Sequence, residues 1–100
     1  MDFGYALNAM REGKRVTRPG WNGKGMFIFL NPGSDVRVSE GRPLASAYPV
    51  GTEIKMLPYI MMKTAGNTIP DPIPKLVPWL ASQTDILAED WEITEAKEPW

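Results

Sequence analysis

Residues 16–30 read VTRPGWNGKGMFIFL, and this stretch decides the fold. It starts with two β-branched residues and continues into the turn signal Arg18-Pro19-Gly20, in which the proline keeps the arginine extended. The Asn22-Gly23 dipeptide that follows is the strongest short signal for a hairpin turn. Residues 26–30 are then uniformly apolar, which is typical of a buried strand. The stretch therefore predicts a hairpin with a glycine-rich connection.

A short helix is predicted on each side of this hairpin. Asp2 can cap a helix that runs to about Glu12, carries one apolar stripe and stops at the glycine that follows. Ser82, followed three residues later by Asp85, resembles a capping box. This pattern predicts a second helix that runs to about residue 89.

Further strands and one loop are predicted outside the hairpin. Residues 36–38 alternate in polarity and predict a half-exposed strand. Residues 53–62 predict either a strand pair or one long strand broken at Pro58, and residues 91–93 predict a final strand. Residues 39–51 hold two prolines and two glycines, so we expect an irregular loop there.

Prolines dominate the sequence between residues 65 and 78. Four of them exclude a helix and a central strand, so we expect a loop or a polyproline-like arm over about 66–78. The polar tail, about 95–100, is expected to be frayed. Together these elements predict a single domain, 1–100, of the α+β class. A short N-terminal helix and a second short helix would pack on a small antiparallel sheet of four or five short strands.

The chain contains no Cys and no His. Disulfides and nucleophiles of the Cys–His or Ser–His–Asp type are thereby excluded, and a structural zinc site would need carboxylates alone. Catalysis would have to rest on Asp, Glu, Lys or Tyr. The sequence shows neither a signal-peptide pattern nor an apolar stretch of about 20 residues. We therefore expect a soluble intracellular protein with no membrane partner.

Charge is unevenly distributed, although the net charge is only −1. Residues 1–50 carry seven Lys or Arg and four Asp or Glu, a charge of +3, whereas residues 51–100 carry four and eight, a charge of −4. The small net charge argues against binding to a nucleic acid polymer, while the basic half offers a place for phosphate. A mixed surface without functional polarity is the alternative.

The glycine-rich block around Trp21 is the first candidate ligand site. Its glycines, Gly23 among them, let a ligand approach the backbone closely. Trp21 offers a flat face for a base, and such stacking is worth about 1–3 kcal/mol. Arg18 and Lys24 can meet phosphate, and Asn22 can read a base or ribose edge. The alternative is a tight hairpin whose tryptophan packs in the core.

A second candidate site lies at the start of the second predicted helix, in residues Ser82, Gln83, Thr84 and Asp85. Hydroxyl and amide groups at a helix start form an edge that favours anions. The alternative is simple helix capping. The carboxylate of Asp85 would weaken anion binding, which counts against the ligand interpretation.

Four carboxylates follow closely along the chain, namely Asp85, Glu89, Asp90 and Glu92. The first two are four residues apart on the predicted helix and would share a face, as in a carboxylate pair or a divalent-cation site. A solvated acidic face is the interpretation that we prefer. We therefore expect no catalytic residue, no metal and no cofactor.

Two long blocks of the sequence are distinctive, 20–27 (GWNGKGMF) and 78–91 (PWLASQTDILAEDW). Together with Phe3-Gly4, Gly13-Lys14 and Lys63-Thr64-Ala65, they resemble a family of small phage and prophage proteins. The second type of Thoeris anti-defence protein belongs to this family. The resemblance covers residues 2–94 in order, and it implies a short N-terminal helix with a small antiparallel sheet.

The resemblance also implies a function. Characterised members are non-catalytic sponges for the cyclic ADP-ribose-type signal made by a bacterial TIR-domain enzyme, and some also hold the cyclic dinucleotides of CBASS defence. They are homo-oligomers, typically tetramers, with ligand in pockets between protomers. For this chain the resemblance implies a homotetramer or homodimer that sequesters such a ligand in the host bacterial cytoplasm.

Site residues follow from the resemblance in the same way. Trp21, Asn22 and Lys24 would lie at the ligand because they stand in the first block, and residues 82–85 would come next because they stand in the second. The proline-rich stretch 69–75 looks longer than the usual link in the family. This departure bears on ligand choice if the stretch lines the pocket, and on oligomeric state if it lies at an interface.

Two other functions stay open at this point. One is an enzyme that cleaves the signal through Asp85, Glu89 or Asp90, which the absence of His and Cys disfavours. The other is a direct protein–protein inhibitor of a bacterial defence enzyme. The proline-rich arm and the aromatic tail would suit such an inhibitor.

Overall fold

The computed structural model describes residues 1–22, 25–64 and 73–95. These residues form two α-helices, one 3-10 helix and seven strands. In chain order the elements are α1 (Phe3–Arg11), β1 (Arg15–Thr17), β2 (Phe27–Asn31), β3 (Ser34–Arg37), the 3-10 helix Pro43–Ser46, β4 (Glu53–Met56), β5 (Tyr59–Lys63), β6 (Leu76–Pro78), α2 (Gln83–Leu87) and β7 (Glu92–Thr94). The predicted α+β class is confirmed, and the main antiparallel sheet has five strands, within the four or five expected; the separate sheet of two strands was not predicted.

Five strands form one antiparallel sheet in the order β6-β5-β2-β1-β7, and β3 and β4 pair separately. The predicted hairpin is present, since β1 and β2 are antiparallel neighbours with Val16 opposite Ile28. Its connection includes Gly23 and Lys24, which lie outside the described residues. On its other side β2 pairs with β5, where Ile28 faces Met62. The hairpin strands therefore lie inside the sheet and not at its edge.

Helix α1 begins and ends where the sequence predicts. At its N-cap the side chain of Asp2 accepts a hydrogen bond from the backbone N–H of Tyr5 at 2.9 Å. After the last turn Gly13 has a φ of +86°, a conformation that glycine adopts without strain. The helix buries one face, which consists of Ala6, Ala9 and Met10.

The core lies between α1 and one face of the five-stranded sheet. Buried side chains of α1 pack there against Val16 of β1, Ile28 of β2 and Trp91, which directly precedes β7. Trp21 and Trp79 pack against this cluster while remaining partly exposed. Because Trp21 and Trp79 belong to the two distinctive sequence blocks, both blocks meet at the same core.

Residues 53–62 form two strands that belong to different sheets. Strand β4 pairs with β3, whereas β5 pairs with β2, so the two do not form a hairpin with each other. The predicted break at Pro58 is confirmed, because Leu57 and Pro58 belong to neither strand. A proline has no N–H to donate, and this position is where the chain passes from the small sheet to the large one.

The proline-rich loop expected over about 66–78 is wrong at its end. Residues 76–78 form strand β6, in which Leu76 faces Lys63 of β5. Strand β6 is an edge strand, where a proline such as Pro78 is tolerated because its missing donor disturbs no further ladder. Residues 65–72 and 96–100, which include most of the predicted arm and the predicted frayed tail, lie outside the described residues.

The second helix has the predicted cap but a shorter length. Backbone N–H of Asp85 donates to the hydroxyl of Ser82 at 3.0 Å, as in a capped helix start. The helix ends at Leu87 and not near residue 89, because Ala88 is already extended, with φ −68° and ψ 150°. The predicted irregular loop over 39–51 also contains the short 3-10 helix Pro43–Ser46.

The link between the two sheets depends on a close backbone approach at Gly33. This residue lies between β2 and β3, and a Cβ placed on it would be 2.5 Å from the carbonyl oxygen of Met56. A second close neighbour is Pro58 Cδ, at 3.2 Å. Neither group belongs to a flexible side chain, so a larger residue could be accommodated only by a shift of the backbone.

We expect Gly33→Ala to destabilise the protein by about 1–3 kcal/mol because the added methyl overpacks this crossing. Gly4→Ala is the control, since a Cβ on Gly4 would have its nearest neighbour, Asp2 Oδ1, at 3.4 Å. Alanine in helix α1 should be neutral or stabilise by up to about 1 kcal/mol. Urea denaturation of both variants measures the difference, and equal midpoints would contradict the steric argument.

Candidate functional site

Two segments far apart in sequence meet around the carboxylate of Asp85. One is the loop that leaves β1, and the other runs from the cap of α2 to the start of β7. We call this cluster the Asp85 junction, and it consists of Arg18, Gly20, Trp21, Ser82, Asp85, Asp90 and Trp91. The two distinctive sequence blocks therefore build one structure.

Arg18 is held between two carboxylates. Its Nη1 donates to Asp85 Oδ1 and its Nε to Asp90 Oδ1, each at 2.6 Å. The side chains of Arg18 and Asp85 are only 13% and 14% exposed, and that of Asp90 is 36% exposed. Asp90 also accepts a hydrogen bond from the backbone N–H of Gly20 at 2.9 Å. Arg18 thus ties the loop after β1 to both ends of the α2 segment.

Asp85 is satisfied by several donors besides Arg18. Its Oδ1 accepts from Trp21 Nε1 at 2.9 Å, and its Oδ2 accepts from the hydroxyl of Ser82 at 3.0 Å. The backbone carbonyl of Asp85 accepts from Trp91 Nε1 at 2.9 Å. With its polar groups paired in this way, a largely buried carboxylate is tolerated.

Aromatic contacts fix the orientation of the tryptophans at the junction. Trp21 stands edge-to-face on Trp91, with ring centroids 5.3 Å apart and planes at 85°. Trp79 contacts Trp91 at 6.1 Å and 87°, and Phe3 contacts it at 5.5 Å. Edge-to-face pairs of this kind add about 0.5–1.5 kcal/mol each beyond area burial. The contact with Trp91 and the hydrogen bond to Asp85 give the Trp21 ring a defined orientation.

The pKa values at the junction are shifted so that all three charges persist. Burial alone would raise the pKa of Asp85, but hydrogen bonds from Trp21 and Arg18 outweigh it and lower that pKa. The hydrogen bond from Arg18 lowers the pKa of Asp90. The pKa of Arg18 is raised, chiefly by its hydrogen bond to Asp90. One cation and two anions leave this triad with a charge of −1.

The predicted ligand residues divide into two groups. Arg18, Trp21, Ser82 and Asp85 are engaged within the junction, where Trp21 packs beside the core and Ser82 caps α2. A ligand role for these four residues stays a prediction. A contact between Arg18 and phosphate stays a prediction, and two carboxylates compete with it. Asn22, Gln83 and Thr84 are exposed, and their side chains make no hydrogen bond within the described ranges. Gly23 and Lys24 lie outside those ranges.

The four carboxylates between residues 85 and 92 do not form the shared helix face or the solvated acidic face considered from the sequence. Glu89 lies beyond the end of α2, so it is not one helical turn from Asp85. Asp90, expected on a solvated face, binds Arg18 and Gly20 instead. No local pattern could reveal these contacts, because the partners are 70 or more residues apart. Within ranges 1–22, 25–64 and 73–95 no group of three potential metal ligands occurs.

Removing the Arg18 charge tests the importance of the junction for stability. Arg18→Met leaves two carboxylates without their cation, and we expect a loss of about 3 kcal/mol in the free energy of unfolding. Arg37→Met is a matched control, because Arg37 also pairs with a carboxylate at 2.6 Å but both side chains are at least 66% exposed. This variant should lose less than about 1 kcal/mol. If Arg18→Met and Arg37→Met lost similar free energies of unfolding in urea denaturation, the junction would not be important for stability.

Acidification provides a separate test of the same carboxylates. The pKa values of Asp85 and Asp90 are lower in the folded than in the unfolded state, so their stabilisation is complete above about pH 4 and is lost as the pH falls further. In Arg18→Met, burial should raise the pKa of Asp85, and this loss should shrink. The free energy of unfolding of both proteins at pH 7, 4 and 3 measures this loss. The same loss in the wild type and in Arg18→Met would contradict the role of the two carboxylates.

Comparison with known proteins identifies the family of the chain. The sequence profile of the Thoeris anti-defense 2-like domain matches residues 1–94. The protein "Thoeris anti-defense 2" of Bacillus phage SP01 is 43% identical over 96 residues, which span 93% of each chain. No α-helix within the described residues has the length and apolar character needed to cross a bilayer. The chain belongs to the Thoeris anti-defense 2-like family.

Proposed function

We propose that the chain is a phage anti-defence protein that binds and sequesters a cyclic nucleotide signal without cleaving it. Membership of the Thoeris anti-defense 2-like family implies a role against Thoeris defence. The proposed ligand is a cyclic ADP-ribose isomer of Thoeris, with CBASS cyclic dinucleotides as a second class. The proposed place of action is the host bacterial cytoplasm.

The observation that carries this proposal is the network of contacts within the Asp85 junction, which lies beside exposed polar side chains. Trp21 is fixed by its contact with Trp91 and by its hydrogen bond to Asp85. Next to these residues in the chain, Asn22, Gln83 and Thr84 offer amide and hydroxyl groups to solvent. A site that needs no ordering on binding gains affinity, and a sponge must bind its signal more tightly than the defence effector does.

The junction is poorly suited to cleave a bound signal. General acid–base catalysis requires a group whose pKa lies near the working pH. The pKa values of Asp85 and Asp90 are lowered by their hydrogen bonds, so both carboxylates are weak bases at neutral pH and hold no proton to give. The sequence also lacks His and Cys. These features support a ligand that is held intact.

Exposed apolar residues around α2 support assembly into a homo-oligomer. Leu80 is 92% exposed, and Ile86 and Leu87 are 46% and 75% exposed. Exposed apolar side chains close together in the chain fit a surface that another protein covers. They flank Gln83 and Thr84 in the sequence, so a second copy that covered them would lie next to the proposed site. We therefore propose a tetramer, or a dimer, with ligand pockets between protomers.

Thermal melting with a panel of cyclic ADP-ribose isomers and cyclic dinucleotides tests the proposed function. A ligand at one hundred times its dissociation constant stabilises the fold by about 2.7 kcal/mol, which shifts the melting temperature of a domain of this size by many degrees. Asn22→Ala should weaken binding about tenfold through one lost hydrogen bond. Asn8→Ala, an exposed residue on α1, is the matched control and should bind normally.

Three results would count against the proposal. Cleaved nucleotide, recovered after the complex is denatured, would establish an enzyme. A panel without any melting shift would leave the direct protein–protein inhibitor, which stoichiometric co-purification with a defence protein would then support. Equal binding by Asn22→Ala and Asn8→Ala would move the site away from the glycine-rich block. Trp21→Ala is a less informative variant in binding experiments, because removal of the Trp21 ring also disturbs its packing on Trp91.

A further inference from the structure

Hydrogen bonds fix the loop after β1 as far as Trp21 and stop there. The backbone N–H of Gly20 donates to Asp90, and that of Trp21 donates to the carbonyl of Arg18 at 3.1 Å. Asn22 comes next and is exposed, and neither its backbone nor its side chain hydrogen-bonds to any described residue. The carboxamide of Asn22 is therefore open to water, and the contacts that hold Trp21 do not extend to it.

A glycine follows Asn22 in the sequence. An asparagine carboxamide can be attacked by the backbone nitrogen of the next residue, and a glycine there favours the attack because it has no Cβ and the widest choice of backbone angles. This Asn-Gly pair occurs once in the chain. The other three asparagines stand in Asn8-Ala9, Asn31-Pro32 and Asn67-Thr68. Sequence and exposure thus single out one asparagine amide as reactive.

The other described asparagines lack one or more of these features. Asn31 is followed by a proline, which has no N–H, and its amide donates to the sulfur of Met61 at 3.7 Å. Asn8 is exposed but lies within helix α1, where helix geometry engages the backbone N–H of the next residue. Because Asn8 matches Asn22 in exposure and differs in backbone environment, it is a natural control for Asn22.

We propose that Asn22 is a site of spontaneous deamidation, and that this reaction limits how long the protein keeps its affinity for ligand. The backbone nitrogen of Gly23 loses its proton and bonds to Cγ of Asn22, while the bond from Cγ to Nδ2 breaks and the amide nitrogen leaves as ammonia. Water then opens the resulting cyclic imide at either of its two carbonyl carbons. One opening yields aspartate, and the other yields isoaspartate, whose main chain runs through the former side chain.

Either product places a new carboxylate directly after Trp21. The two carboxylates that bind Arg18 already leave that triad with a charge of −1, so Arg18 has no charge left to balance a third. The consequence for binding rests on the proposed function, in which the Asn22 amide hydrogen-bonds to a phosphate-bearing ligand. After deamidation the ligand loses that donor and faces an added negative charge, so we expect its affinity to fall at least about tenfold.

Incubation of the purified protein at 37 °C, followed by peptide mass spectrometry, tests the modification without any ligand. The peptide that contains Asn22 should gain the mass that separates a carboxylate from an amide, and part of the product should become a substrate for isoaspartyl methyltransferase. The reaction should be faster at pH 8 than at pH 6, because the attacking nitrogen must lose its proton. Asn8 should remain intact, and Asn22→Gln should not react, since its longer side chain would have to close a less favourable ring. Deamidation of Asn22 that is no faster than that of Asn8, or that occurs only in protein unfolded in urea, would overturn the proposal.

Asn22→Asp represents one of the two products and tests the consequence for binding. In thermal melting with cyclic ADP-ribose isomers and cyclic dinucleotides, Asn22→Asp should lower the ligand-induced shift more than Asn22→Ala does. Asn8→Asp adds the same charge at an exposed position on α1 and should leave the shift unchanged. Equal shifts in Asn22→Asp and Asn8→Asp would overturn the consequence for binding. If no nucleotide stabilises the wild type, the proposed sequestration fails, and the mass measurement still decides whether Asn22 is modified.

Discussion

The two ion pairs of Arg18 hold together parts of the chain that local structure alone would leave apart. They join the loop after β1 to Asp85 in α2 and to Asp90 before β7. The backbone adds to this connection, since the amino group of Met1 donates to the carbonyls of Glu89 and Trp91 at 2.8 and 3.1 Å. These contacts hold the chain around Trp91, whose side chain is buried in the core.

Features that depend on neighbours in the sequence were predictable. The caps at Asp2 and Ser82 involve donors three residues away, and the strands of the hairpin follow from an apolar run next to turn residues. Strand partners were not predictable in this way. Residues 53–62 carry no sign that β4 and β5 belong to different sheets, because pairing is decided by packing between distant segments.

The location of the candidate site was predictable from the sequence, but the contacts made by its individual residues were not. The glycine-rich block and residues 82–85 do come together, but through Arg18, Trp21 and Asp85 binding one another. Sequence patterns could not distinguish a cation that binds a ligand from one that binds a carboxylate 67 residues away.

The small sheet of β3 and β4 gives the protein an uneven distribution of stability. These strands hydrogen-bond only to each other among the described strands, and most of their side chains are exposed. Val38, directly after β3, is buried and continues the pairing through backbone hydrogen bonds with Gly51 and Thr52. Two-stranded ribbons are marginal by themselves, so this one opens at a lower free energy than the five-stranded sheet. Hydrogen exchange would therefore resolve two cooperative units in a chain of only 100 residues.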